Sequence, residues 1–240
     1  EEYERAKEDK KRARALAKSQ AGLSVEDEGA TKSGNNNILN RRRHLVLIAQ
    51  NQTGLNNLFR LISDSYTEEY FYRYPRIDYD LLKKYGEGII AASACLGGVY
   101  AGCLWENREQ GDEAVLEAMR EVTRKMMDIF GDRWYGELQW NNVPEQHQLN
   151  KFIIQMSEEF GFKLISTADS HYPTPTAWKD RELYKRLGWL GRGMPKWAEG
   201  NTDLPEGVEE IGYELYPKNG DQMFASYKLY SEEGDYDDQL

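Results

Sequence analysis

A chain of 240 residues with 40% hydrophobic residues, 16 Tyr and 6 Trp can bury one sizeable core, which excludes a disordered polymer. Its formal net charge of −10 makes it a poor free-standing nucleic-acid binder, because displacing counterions from phosphates needs a basic face. No run is long and apolar enough to span a membrane, and two cysteines, Cys95 and Cys103, predict free thiols in a cytoplasmic setting.

The chain opens on Glu1-Glu2-Tyr3, with neither an initiator Met nor a signal peptide, and reads as a piece of a longer protein. Residues 1–43 are expected to form a charged helix and then a flexible loop around Gly34-Asn35-Asn36-Asn37. The basic run Arg41-Arg42-Arg43 reads as a solvated loop end.

Regular alternation begins at His44-Leu45-Val46-Leu47-Ile48-Ala49, whose continuous apolar run predicts a buried strand. Thr53 is placed to cap a helix through Tyr66, with Leu55, Leu58, Phe59 and Ile62 on one face. A short helix over 78–85 should stop at Gly86. Gly88 to Ser93 predicts a second strand, broken by Gly97-Gly98. Residues 112–130 carry Val115, Leu116, Met119, Val122 and Met126 at helical spacing, the methionines as core filler.

A third strand is expected over 134–140, and a helix from Pro144 should end at Gly161. His147, among Gln and Asn on that helix, reads as solvated. Residues 163–168 predict a buried fourth strand, followed by a helix over 176–190. Beyond Leu190 the pattern loosens, with residues 191–212 expected to be irregular and exposed. A last helix is predicted over 220–230. Strands alternating with helices at this length predict an α/β fold with four parallel strands.

Polar residues at strand termini are the candidate chemistry. His44 begins its strand, Cys95 lies past the second, Glu137 sits within the third, and Asp169-x-His171 ends the fourth. An Asp and a His two residues apart on a strand point to one side, and strand ends are where α/β sheets bind metals. The plainer alternative is a helix-capping Asp, a solvated His and a small buried Cys. His, Cys and Asp suit zinc, but their wide spacing is no zinc-finger pattern.

These residues also carry a family resemblance. His44 to Leu58, Tyr74-Pro-Arg-Ile-Asp, Ser93-Ala-Cys-Leu-Gly-Gly, Tyr135-Gly-Glu-Leu-Gln, Val143-Pro-Glu-Gln and Thr167-Ala-Asp-Ser-His-Tyr stand in order. Together they resemble the PHP (polymerase and histidinol phosphatase) domain of bacterial and phage replicative DNA polymerases of the polymerase III alpha type. Downstream, Leu215-Tyr-Pro-Lys-Asn-Gly-Asp-Gln-Met resembles the segment leading toward the polymerase core.

The resemblance implies a partial (β/α)7 barrel over 44–190, with 191–240 as a connector. It implies a Zn²⁺ or Mn²⁺ cluster held by His44, Cys95, Asp169 and His171, with Asp169 and His171 catalytic and Glu1 a further ligand. Glu137 matches a strand position read as structural. The implied activity is metal-dependent 3′–5′ phosphodiester hydrolysis or structural support of a polymerase that itself uses Mg²⁺. DNA, a sliding clamp and a proofreading exonuclease are the implied partners. The three histidines include no His-x-His, the family's first motif, so this piece is expected to be inactive alone. A stand-alone phosphoesterase of the histidinol phosphatase type is the alternative.

Overall fold

The computed structural model describes residues 42–71, 74–141, 143–190 and 214–234. The chain divides into two units, Glu1–Asn40 and Arg41–Leu240, and the described residues belong to the second. The expectations for residues 1–41 and 191–212 lie outside the described residues.

Four strands form one sheet in the order β1-β2-β3-β4: Val46–Ala49, Ile89–Ala92, Trp134–Gln139 and Lys163–Thr167. The helices are α1 (Gln52–Ser65), α2 (Tyr79–Tyr85), α3 (Val99–Asn107), α4 (Asp112–Phe130), α5 (Pro144–Phe160), α6 (Trp178–Leu190) and α7 (Gly220–Gly234). The α/β class and a sheet dominated by parallel pairing are therefore as expected. β2 with β3 and β3 with β4 are parallel.

β1 corrects the expectation of four parallel strands, because it pairs antiparallel with β2, Val46 opposite Ala92 and Ala49 opposite Ile89. The cause is the connection. At the end of β1 the Gln50 N–H donates to the Gly88 carbonyl, so the chain leaves beside the place where β2 begins. α1 then runs outward and the chain returns along it, with Lys84 3.9 Å from Asp64 and the Asn57 amide donating to the Glu87 carbonyl at 3.0 Å. An out-and-back helical pair delivers β2 to the end that β1 has just left. The α1 cap also differs from expectation. Asn51, not Thr53, accepts the Gly54 N–H.

The helix-covered face of the sheet supplies most of the core. At Gly136 a Cβ would lie 2.7 Å from Ile153 and 2.8 Å from Phe162, so α5 packs against β3 where no side chain intervenes. Pro144 opens α5 and Gly161 closes it in the left-handed conformation, as the sequence predicts. Val115, Leu116, Met119 and Met126 of α4 are buried. Trp134 donates its indole N–H to the Tyr100 hydroxyl, which bonds Thr123, so the largest buried rings have their polar atoms met. His147 is not solvated as expected. It is half-buried, its ring 5.9 Å from that of Tyr230.

The opposite face is more open. Val46 is 37% exposed and Ile48 53%, and β4 is half-exposed, so the apolar runs of β1 and β4 do not mark fully buried strands. α1 likewise turns Leu55, Phe59 and Ile62 to solvent and buries Leu61 instead. Among the described residues, no helix is long and apolar enough to cross a membrane.

Candidate functional site

The antiparallel placement of β1 decides where His44 goes. Its backbone N–H donates to the Gly97 carbonyl at 2.8 Å, and it bridges Gly98, so the start of β1 lies beside the loop that follows β2. The imidazole Nδ1 is 3.5 Å from Cys95 Sγ. A Cβ at Gly97 would come within 2.8 Å of that ring nitrogen, so glycine there is what admits the ring.

Cys95 follows a sharp turn. The last backbone bond from β2 to β3 in this region is Ser93 N–H to the Tyr135 carbonyl, at 3.1 Å. Ala94 then turns left-handed with φ 62, and the Gly98 N–H closes on the Cys95 carbonyl at 2.7 Å. The sulfur accepts the Gly97 N–H at 3.5 Å. Burial pushes the Cys95 thiol above its ordinary range, the Gly97 N–H opposes this, and the negative charge of Asp169 adds to the rise.

Asp169 is itself left-handed, with φ 46, just past the end of β4. Because β4 runs parallel to β2 with β3 between, both strand ends reach the same rim, so the Asp169 and Cys95 loops open on one side of the sheet. His171 is exposed, and its Nδ1 lies 2.7 Å from the Asp169 carbonyl. The Leu215 carbonyl accepts the His171 N–H at 2.8 Å, so the segment after residue 213 holds this loop by its backbone. Glu1 lies outside the described residues.

Imidazole and thiol thus meet at the rim onto which the Asp169 loop also opens, a donor chemistry that suits a borderline cation such as Zn²⁺. The number of donors falls short. Among the described residues, no group of three or more His, Cys, Asp or Glu side chains could hold a metal ion. A cavity of about 460 Å³ lies between β3, β4 and α7, lined by Leu138, Trp140, Leu164, Met223, Phe224 and Tyr227 among others. Its apolar walls bring together no acid or base, and His44, Cys95 and Asp169 are not among its lining residues.

Glu137 is the residue whose contacts sequence reading does not reach. It is buried in β3 and makes hydrogen bonds to both neighbouring strand ends, through the Ala94 N–H and the Thr167 hydroxyl. The available signal is a lone acid inside an alternating strand, which says nothing of its partners.

The PHP domain family profile matches residues 2–141. The chain is 43% identical over 148 residues to a DNA polymerase III subunit alpha of Aquifex aeolicus, covering 60% of this chain and 12% of that protein. The corresponding protein of Borreliella burgdorferi is 40% identical over 180 residues, covering 75% of this chain and 14% of the relative. That of Deinococcus radiodurans is 40% identical over 129 residues, covering 54% and 9%. The chain thus spans between 9% and 14% of the length of these three relatives.

Proposed function

The chain belongs to the PHP domain family, and from that premise we propose that it is the PHP portion of a replicative DNA polymerase alpha subunit. In this reading its strand-end cluster contributes part of a divalent-metal site for phosphodiester hydrolysis. The observation that carries the reading is the contact of His44 with Cys95, 51 positions apart in the chain, at the rim onto which the Asp169 loop also opens, in a sequence related to polymerase III alpha subunits.

In this reading His44, Cys95, Asp169 and His171 hold Zn²⁺ or Mn²⁺ together with ligands that the described residues do not supply. A bound divalent ion supplies charge for a phosphate oxygen and acidifies water. The chain's own residues orient the site. Asp169 takes a left-handed backbone just past β4, and His171 anchors Nδ1 on the Asp169 carbonyl, which leaves Nε2 as the ligating nitrogen. With no His-x-His in the sequence, the 240-residue chain alone is not expected to hydrolyse DNA.

The parent enzyme is then a Mg²⁺-dependent DNA polymerase working in the cytoplasm with DNA, a sliding clamp and a proofreading exonuclease. Similarity to polymerase subunits favours this over a stand-alone histidinol phosphatase.

Titration calorimetry with Zn²⁺ and Mn²⁺ tests the site. Binding is expected to be weak, on the order of micromolar, because a structural zinc site normally needs four ligands. It should vanish in Asp169→Asn. Nanomolar Zn²⁺ binding by the chain would overturn the incomplete-site reading, and no binding of either ion would remove the site altogether.

A further inference from the structure

We propose that Glu137 is the positioning residue of the strand-end cluster, tying the turn that carries Cys95 to the strand end that carries Asp169. The assignment rests on the reading of that cluster as part of a metal site. Glu137 lies in the middle of β3, between β2 and β4, and is 4% exposed. Its Oε1 accepts the Ala94 N–H at 2.8 Å, and its Oε2 accepts the Thr167 hydroxyl at 2.9 Å. Its own N–H donates to Ser93 Oγ at 2.8 Å. One carboxylate therefore holds the residue before Cys95 with one oxygen and the residue two before Asp169 with the other.

The chemistry explains why an acid stands there. Register places Glu137 on the sheet face of Val46, Ile48, Ile90 and Ile165, a face it shares with Tyr135, Gln139, Lys163 and Thr167. Burying a carboxylate on that face is unfavourable unless its hydrogen bonds are made. Here they are made to the two strand ends of the cluster. Past Ser93 the chain turns left-handed at Ala94, a strained conformation for a residue with a Cβ, and the Ala94 N–H goes to the Glu137 side chain. Gln139 steadies the same knot by donating to the Thr167 hydroxyl at 3.3 Å. Without the carboxylate the Ala94 N–H is orphaned and the turn has no reason to stay left-handed, so Cys95 is no longer fixed beside His44 and the Asp169 strand end.

The test uses the 240-residue chain carrying Cys103→Ser, which leaves Cys95 as its one thiol. The rate of Cys95 alkylation by iodoacetamide at fixed pH reports how firmly the turn is held. Glu137→Ala is expected to raise this rate about tenfold or more, since thiol reactivity follows exposure and surroundings. Glu137→Gln should stay within about threefold of the parent, because an amide oxygen still accepts the Ala94 N–H and an amide N–H can donate to the Thr167 hydroxyl.

Met156→Ala, a cavity at a fully buried residue of α5, is the control for general loss of stability, and should also stay within about threefold. Equal rates in Glu137→Ala and the parent would overturn the proposal, and so would a Met156→Ala rate as high as that of Glu137→Ala. If Glu137→Ala does not fold, Thr167→Val, which removes one of the two ties, takes its place. An alkylation rate for it above both parent and Met156→Ala supports the tie, and a parental rate overturns it. Co²⁺ titration of the same parent, read by thiolate absorption, judges the metal reading separately. Its failure would leave the alkylation comparison intact.

Discussion

His44 Nδ1 lies 3.5 Å from Cys95 Sγ, although 51 positions separate the two residues. The contact exists because β1 is antiparallel to β2. In a parallel pair the start of β1 would lie at the far rim from the end of β2. Out-and-back packing of α1 and the chain that returns along it sets the direction, so a helical connection with no chemistry of its own decides whether a candidate ligand reaches the cluster.

Gly97→Ala should loosen this contact. The added Cβ would stand 2.8 Å from His44 Nδ1 and 2.9 Å from Cε1, and the ring, as a movable side chain, has to swing away from Cys95. The expected cost is about 1 kcal/mol, typical of mild overpacking. Imidazole signals of His44 in two-dimensional NMR spectra should shift. Unchanged signals would mean the ring does not lie over Gly97.

Stability should fall with alkali through Cys103. Burial pushes this thiol up to about 11, with Glu106 adding to the effect and Arg43 opposing it. Below pH 9 the thiol is protonated in both states and the contribution is fully present. As pH rises from 9 toward 11 the unfolded chain loses its proton first, which removes about 2–3 kcal/mol. Urea unfolding at pH 8.5 and 10.5 should show a smaller drop in Cys103→Ala than in the parent. Parallel drops would place the thiol in contact with water.

Substitutions along α1 should separate its two faces. Phe59 is 58% exposed, so Phe59→Ser is expected to change stability by no more than about 0.5 kcal/mol. Leu61 is 2% exposed, and Leu61→Ala should cost about 2–4 kcal/mol. Denaturant midpoints of the two variants decide the matter, and the reverse order would show that the helix turns its other side inward.

Much of the fold was legible in local pattern. α4 carries a 3.6-residue apolar stripe on a long helix, and its bounds, Asp112–Phe130, agree with those read from the sequence. α3 was not legible, because Tyr100, Ala101, Gly102, Cys103 and Leu104 are buried in succession and leave no stripe to read. On α1 the apolar face was legible and misleading. Leu55, Phe59 and Ile62 do share a face, yet contact with β1, β2 and α2 favours the side bearing Gly54 and Leu61.

By itself the sequence determined the elements other than α3, the α/β class and the residue types at the strand ends, because period, capping residues and glycines act over a few neighbours. Tertiary structure decided the direction of β1, the side on which α1 is buried, and the hold of Glu137 on Ala94 and Thr167. Each of these depends on which surfaces meet across tens of residues. A side chain's partner in another strand leaves no trace in the spacing of its own.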